Sequence, residues 1–302
     1  MAYLHNDKEQ FRDAIYLAYN QTGIMAQTIE KDYYVTMLLK ILSEKISYIV
    51  FKGGTSLSKC HEVIKRFSED IDITVDTTFS QGQKKKVKQV VIDSANELGM
   101  VIENLDDTRS RRDYNRYVIA YDSVIPMESN ALKSAVLLEI SYTAVSFPTV
   151  LLPVHSYIGD MMEKEAPNAI SDFMLTPFEM KVQGIDRTLA DKVFAVCDYY
   201  LGGKVTKHSR HLYDIYKLLP LVPQDENFKE LVHEVREMRS HSSICLSAAP
   251  EVDVPKLLRR IMEEKVYKPD YDALTTQLLE EKVSYDTVIG ALKQIADSRI
   301  FD

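Results

Sequence analysis

Residues 51–59 read Phe-Lys-Gly-Gly-Thr-Ser-Leu-Ser-Lys, and residues 66–73 read Arg-Phe-Ser-Glu-Asp-Ile-Asp-Ile. The apolar run Ile46–Phe51 stops at two glycines, which predicts a buried strand followed by a sharp turn. Isoleucines alternate with aspartates over 70–73, which predicts a second strand that continues to Val75. A helix over Thr55–Phe67 fits the gap, so the turn and the acids are expected on neighbouring strands.

The glycine turn has the chemistry of a phosphate site. Two glycines let the backbone turn tightly and approach a ligand closely. The helix that follows presents unpaired N–H groups and the positive end of its dipole. We therefore expect Gly53, Gly54, Thr55, Ser56 and Lys59 to bind phosphate oxygens. A purely structural turn is the alternative, because a Gly-Gly pair is common in turns.

The paired acids have the chemistry of a metal site. Side chains two apart in a strand share one face, so Asp70 and Asp72 project together while Ile71 and Ile73 face the core. Like charges this close repel each other unless a cation lies between them. Carboxylate oxygens suit Mg²⁺, and two such ions can assist phosphoryl transfer. The alternative is a solvated strand face.

The rest of the chain predicts an α+β protein in two parts. Further strands are expected at Arg116–Tyr121 and Ala135–Tyr142, and prolines punctuate the chain between 148 and 177. We expect an N-terminal domain with a mixed sheet over residues 1–160 and a mainly helical domain over 161–302. The predicted helices are Gln27–Glu44, Gln83–Leu98, Arg187–Leu201, Arg210–Leu219, Asn227–Arg239 and Lys256–Val266.

Bulk composition narrows the class of protein. The net charge of -8 argues against a protein that coats nucleic acid through bulk charge. No apolar run approaches the length of about 20 residues that a membrane-spanning helix needs, so no membrane partner is expected. Three widely separated cysteines lack the spacing of a zinc site or a disulfide framework. A reducing cytoplasm is the expected location.

The two motifs together resemble the DNA polymerase β-like nucleotidyltransferases, in which a Gly-Ser turn holds the triphosphate and paired acids hold metal ions. Their detailed sequence resembles the AbiEii/AbiGii toxin family of abortive-infection toxin–antitoxin systems. The resemblance extends upstream to residues 29–34 (Ile-Glu-Lys-Asp-Tyr-Tyr) and downstream to Asp191-Lys192 and residues 210–216 (Arg-His-Leu-Tyr-Asp-Ile-Tyr). It thus covers roughly residues 27–219.

The resemblance implies roles for further residues. Ser68 would line the nucleotide site, and Glu139 on a later strand would be the third metal ligand. Lys192 would meet the nucleotide phosphates, with Lys181 as a competitor for that role. Asp214 would complete the polar site from the helical domain. A structural ion pair between Asp214 and Arg210 is the alternative, because the two lie one helical turn apart.

The expected function is transfer of a nucleoside monophosphate from an NTP to an acceptor by two-metal-ion chemistry with Mg²⁺. The resemblance implies a toxin with a cognate antitoxin encoded nearby, and an RNA acceptor such as the 3′ end of tRNA. Two alternatives stay open. The acceptor could be a small-molecule or protein hydroxyl, or the chain could be a nucleotide-binding regulator without catalysis.

Three basic runs bear on the acceptor. If they surround the site, they could hold RNA phosphates while interleaved tyrosines stack on unpaired bases. Solvated helix and loop surface is the alternative. The runs are Lys84, Lys85, Lys86 and Lys88; Arg109, Arg111, Arg112 and Arg116 with Tyr114 and Tyr117; and Lys204, Lys207, His208, Arg210 and His211.

Overall fold

The computed structural model describes residues 2–66, 68, 70–126, 133–145 and 147–302, with the side chains of 143–145 left aside. The chain forms two compact units. The first contains residues 1–60 and 68–182, and the second contains 61–67 and 183–302. Phe67 and Glu69 of the second motif lie outside the described residues. The predicted α+β class with a mixed sheet is confirmed.

The first unit is built on a sheet of seven described strands in the order β3-β4-β5-β2-β1-β7-β6. Strand β2 lies between β1, which is antiparallel to it, and β5, which is parallel to it. The two predicted motifs therefore lie on adjacent central strands. The strands are β1 (Ile49–Lys52), β2 (Asp70–Val75), β3 (Val101–Ile102), β4 (Tyr114–Ala120), β5 (Ala135–Val145), β6 (Thr149–Val154) and β7 (Phe178–Gln183).

Alternation along the strands separates a core face from a polar face. Ile71, Ile73, Leu138 and Ile140 are buried, while the acids between them on β2 and β5 are half-buried. The period-2 pattern of the sequence thus identified the core side correctly. The helices of this unit are α1 (Lys8–Thr22), α2 (Ala26–Lys45), α3 (Gly53–Lys59), α4 (Gln81–Glu97) and α5 (Tyr157–Glu165).

Helix α3 is much shorter than the predicted helix over 55–67. It ends at Lys59, and Glu62 has a positive φ of 54°, which a continuing helix cannot accommodate. The following segment is extended and belongs to the second unit. There the backbone N–H of Lys65 donates to Tyr213 Oη, and Arg66 forms an isolated antiparallel bridge with Leu279.

The second unit is helical, as predicted. The helices over α6, α7 and α8 begin and end within two residues of the predicted bounds, and α12 was not predicted. A π-helical turn (Tyr271–Thr275) lies between two short helices. The helices are α6 (Ile185–Leu201), α7 (Arg210–Leu218), α8 (Glu226–Ser240), α9 (Val254–Glu264), α10 (Lys268–Asp270), α11 (Thr276–Leu278) and α12 (Tyr285–Ser298).

The first unit ends at residue 182 and the second resumes at 183, whereas the predicted boundary lies between 160 and 161. Strand β7 accounts for the difference, because it runs parallel to β1 with Phe51 opposite Val182 and so belongs to the sheet. No helix among the described residues is long and apolar enough to span a membrane.

Candidate active site

One level of the sheet carries four charged side chains in register. Lys52 on β1 lies opposite Asp72 on β2, Asp72 lies opposite Glu139 on β5, and Glu139 lies opposite Arg116 on β4. Directly paired residues project from the same face, and their Cα atoms are about 4.5–5.5 Å apart. Asp70, two residues before Asp72, projects from that face too. Asp72 and Glu139 therefore lie between Lys52 and Arg116, and Asp70 projects from the same face as these four residues.

Gly53 is packed directly against one of these carboxylates. A Cβ atom at Gly53 would lie 1.9 Å from Asp72 Oδ2 and 2.8 Å from its Cγ. The residue also has a φ of +79°, in the region that favours glycine. Any other side chain would displace the Asp72 carboxylate, so the glycine turn and the acid are one geometric unit.

The hydroxyls of the turn are engaged inside the protein. Thr55 Oγ1 donates to the Asp70 carbonyl oxygen at 2.5 Å and lies 2.9 Å from Ser68 Oγ. Ser56 Oγ donates to the Gly53 carbonyl oxygen at 3.0 Å, and its side chain is fully buried. The Thr55 contact joins the turn to β2, and the Ser56 contact stabilises the turn itself. Gly54 lies in the first turn of α3.

The ammonium group of Lys59 binds partners on α2 and after β6. Its Nζ lies 2.6 Å from Asp32 Oδ1 and donates to Thr36 Oγ1 at 2.8 Å and to the His155 carbonyl oxygen at 2.7 Å. Its side chain is 7% exposed. Lys59 therefore ties α3 to α2, and this contact gives Asp32, in the upstream 29–34 segment, a structural role.

Glu139 has two partners on β4. Its Oε1 lies 3.6 Å from Arg116 Nε, and Tyr114 donates a hydrogen bond to it. Burial, and then the Glu139 charge, raise the pKa of Tyr114, so its phenol stays protonated as a donor. Glu139 thus lies beside the paired aspartates while its carboxylate is shared with a guanidinium and a phenol.

The donor set fits a magnesium ion. Asp70, Asp72 and Glu139 bring half-buried carboxylates from adjacent strands to one face, and carboxylate oxygens are ligands that Mg²⁺ accepts. Among the described residues, no three His, Cys, Asp or Glu side chains already converge as a metal cluster.

The predicted residues of the second unit form a buried cluster within that unit. Asp214 accepts from Arg66 Nε and Nη2, both at 2.7 Å, and from Lys192 Nζ at 2.6 Å. Asp214 is fully buried, and the side chains of Arg66 and Lys192 are 2% and 7% exposed. Lys192 is therefore a buried cation on α6, and Arg66 joins it on the carboxylate of Asp214.

Charge and burial oppose each other in this cluster. Burial raises the pKa of Asp214, but the positive charges of Arg66 and Lys192 outweigh it and hold that pKa below its usual range. Burial and then the Lys192 charge lower the pKa of His211 well below 6.5, so this imidazole is neutral. Burial, and after it the charges of Arg66 and Arg210, lower the pKa of Lys192, while the Asp214 charge opposes this shift.

Arg66 is the functional-site candidate that residue-by-residue reasoning missed. It stands in the quoted second motif, yet the sequence argument assigned it no role. A signal existed, because Asp214 lies in an apolar stretch and a buried carboxylate needs a cation. Nothing in the spacing could show that the cation lies 148 residues away.

Two other predicted residues have structural partners. Lys181, the competitor for the role of Lys192, pairs with Asp76 at 2.6 Å beyond the end of β2. Asp191, which precedes Lys192, contacts Arg187 within α6 at 3.2 Å and Arg239 on α8 at 3.1 Å. Asp191 therefore holds two helices of the second unit together.

Comparisons with known proteins show the family and the fold. The family described as "Nucleotidyl transferase AbiEii toxin, Type IV TA system" matches residues 38–291, which is most of the chain. No curated protein sequence matches the chain. Among solved structures, MenT4, a nucleotidyltransferase toxin from Mycobacterium tuberculosis H37Rv, is similar with a TM-score of 0.54. That similarity has 15% identity and covers 96% of this chain and 89% of MenT4, so it supports the fold. The chain belongs to the AbiEii nucleotidyltransferase toxins of type IV toxin–antitoxin systems.

Proposed function

We propose that the chain transfers a nucleoside monophosphate from an NTP to the 3′ hydroxyl of an RNA, with tRNA as the acceptor. The bond between the α and β phosphates breaks, pyrophosphate leaves, and Mg²⁺ assists the reaction. Family membership already implies a nucleotide substrate and an antitoxin partner. The observation that carries the proposal is the alignment of Asp70, Asp72 and Glu139 on one face, with Gly53 packed against Asp72.

The residues divide the work of the reaction. Asp70, Asp72 and Glu139 would hold Mg²⁺, which supplies charge neutralisation on the phosphates and lowers the pKa of the attacking hydroxyl. Gly53 has no side chain, so the Asp72 carboxylate can pack directly against the turn and is held in place there. Thr55 binds the Asp70 carbonyl oxygen and also contacts Ser68 Oγ, and these contacts help to keep the carboxylates preorganised.

Lys192 would contact the nucleotide phosphates, as the family resemblance implies. Support comes from its surroundings within the second unit, where Arg66 and Arg210 add positive charge and Asp214 orients the ammonium group. Such a group suits the negative charge of pyrophosphate. In this proposal Asp214 is a positioning residue, since both its oxygens are already bonded to Arg66 and Lys192.

The test is incubation with each α-³²P-labelled NTP, Mg²⁺ and total RNA. We expect labelled RNA from the wild type and a loss of about 10³-fold or more in Asp70→Ala, because a ligand for transition-state charge is removed. Asp13→Ala removes an exposed carboxylate on α1 and should label RNA as the wild type does. Undiminished label with Asp70→Ala would contradict the site. Label on protein or on a small molecule would move the acceptor to the alternative class, and NTP binding without any label would favour a regulator.

A further inference from the structure

We propose that a basic surface beside Glu139 binds the RNA acceptor strand and leads its 3′ end to the carboxylates; this inference rests on the proposed function. We call this surface the arginine strip. It comprises Lys85 and Lys86 on α4, Arg109, Arg111 and Arg112 in the loop before β4, and Tyr114 and Arg116 on β4. All of these side chains are exposed.

Two members of the strip, Tyr114 and Arg116, lie beside the candidate site on β4. Tyr114 and Arg116 are two apart on β4, so they share the face on which Arg116 lies opposite Glu139. Arg116 is within ion-pair distance of Glu139 at 3.6 Å, with its side chain 52% exposed. An RNA phosphate bound at Arg116 would therefore lie next to the carboxylate row, at its β4 end.

The loop of the strip is ordered by contacts within the protein. The buried side chain of Asn115 accepts from the Arg109 N–H at 2.9 Å and donates to the Arg109 carbonyl oxygen at 3.0 Å. Lys88 Nζ donates to the Thr108 carbonyl oxygen at 2.9 Å, which ties the loop to α4. A preorganised loop loses little conformational freedom when it binds a ligand.

Positive charge dominates the strip although the whole protein is acidic. Residues 81–88 and 103–116 together contain eight lysines and arginines and four acids, in a chain with a net charge of -8. Asp113 is neutralised locally by the buried Lys84. Arg112 Nη1 donates to the Asp107 carbonyl oxygen at 3.0 Å, and a neutral carbonyl leaves the charge of the guanidinium intact.

The chemistry of the strip fits single-stranded RNA. Arginines supply forked donors that match phosphate oxygens, and phosphate contacts provide affinity regardless of sequence. Tyr114 is 49% exposed, so its ring can stack on an unpaired base, which is how proteins hold single strands. An acidic protein partner would use the same charges and would gain less from the exposed phenol ring.

The test measures RNA binding without turnover. A short fluorescein-labelled single-stranded RNA with a free 3′ hydroxyl is titrated with protein and Mg²⁺, in the absence of NTP, over a range of salt concentrations. The triple variant Arg109→Ala, Arg111→Ala, Arg112→Ala should bind at least about tenfold more weakly and lose about two units of salt-dependence slope, since each phosphate contact contributes about 0.7. The triple variant Lys164→Ala, Lys229→Ala, Lys256→Ala removes three exposed charges elsewhere and should bind like the wild type.

Tyr114 is tested by a matched pair. Tyr114→Ala should weaken RNA binding about tenfold, while Tyr114→Phe, which keeps the ring and loses the hydrogen bond to Glu139, should bind normally. RNA binding by the arginine variant with wild-type affinity would contradict the proposal. Polyglutamate that displaces the labelled RNA as well as unlabelled RNA does would also contradict it. NTP is absent from this binding test, so neither result would bear on the transfer reaction, which has its own labelling test. A wild-type protein that binds RNA but does not label it would contradict the transfer reaction and leave the arginine strip intact.

Discussion

The acids of the first unit and the acid of the second unit differ in what already surrounds them. Asp72 and Glu139 are half-buried on a sheet face, with cations flanking the row at Lys52 and Arg116. Asp214 is fully buried, and both its oxygens are bonded to Arg66 and Lys192. The same residue type therefore has two uses, because an accessible carboxylate can accept a metal ion while a saturated one fixes its partners.

Removal of the saturated acid is expected to give the largest effect on stability. Asp214→Ala would leave Arg66 and Lys192 buried without their common counter-charge, which should lower the free energy of unfolding of the second unit by about 3–5 kcal/mol. Chemical denaturation measures this loss of stability, and hydrogen exchange of the backbone amides in α6 and α7 locates it in the second unit. Asp286→Ala, an exposed acid on α12, should stay within about 0.5 kcal/mol of the wild type. Equal stability of the two variants would contradict the stabilising role of the buried Asp214 carboxylate.

Gly53→Ala tests whether the glycine serves the backbone or the carboxylate. Gly53 and Gly99 both have positive φ, but a Cβ meets Asp72 at Gly53 and meets nothing within 4 Å at Gly99. Both alanine variants should lose about 1–2 kcal/mol of stability from the backbone conformation. Only Gly53→Ala should also reduce nucleotidyl transfer, by about 10²-fold, since Asp72 is displaced. Similar labelling rates in the two variants would show that the close contact between Gly53 and Asp72 does not affect catalysis.

The neutral imidazole beside the buried cluster gives the smallest expected effect. The folded-state pKa of His211 is lowered below 6.5, so the unfolded chain takes up a proton first as the pH falls. His211 therefore contributes stability above about pH 6.5 that is lost on acidification, by about 1 kcal/mol per pH unit.

Thermal unfolding between pH 7 and pH 5 measures this loss. His211→Gln should flatten the decline of the melting temperature, whereas His233→Gln, at an exposed position on α8, should leave it unchanged. A steep decline that persists in His211→Gln would place the titration elsewhere in the cluster.

Local patterns in the sequence predicted much of this molecule. The alternation over 70–75, the turn at Gly53 and the long helices α2 and α4 all depend on neighbours in the chain, and the structure contains them. The mixed sheet and the family were also predicted correctly. The roles assigned to individual site residues stay predictions.

Long-range contacts account for what the sequence did not show. The helix predicted over 55–67 stops at Lys59, Glu62 has a positive φ, and Lys65 and Arg66 then pair with Tyr213 and Leu279 in the second unit. The alternation of β7 was visible in Phe178, Met180 and Val182, yet the prolines around it suggested a domain boundary. The partner of Lys59, Asp32, and the partner of Asp214, Arg66, both depend on the tertiary fold.

The path of the chain has a consequence for dividing this protein into fragments. Residues 61–67 belong to the second unit although they lie between α3 and β2 of the first. A single cut after residue 182 would therefore leave Arg66 on the other fragment, and Asp214 would lose the guanidinium that binds both its oxygens. The helical unit is therefore built from two segments of the chain, and a fragment that keeps its buried ion pairs must contain both.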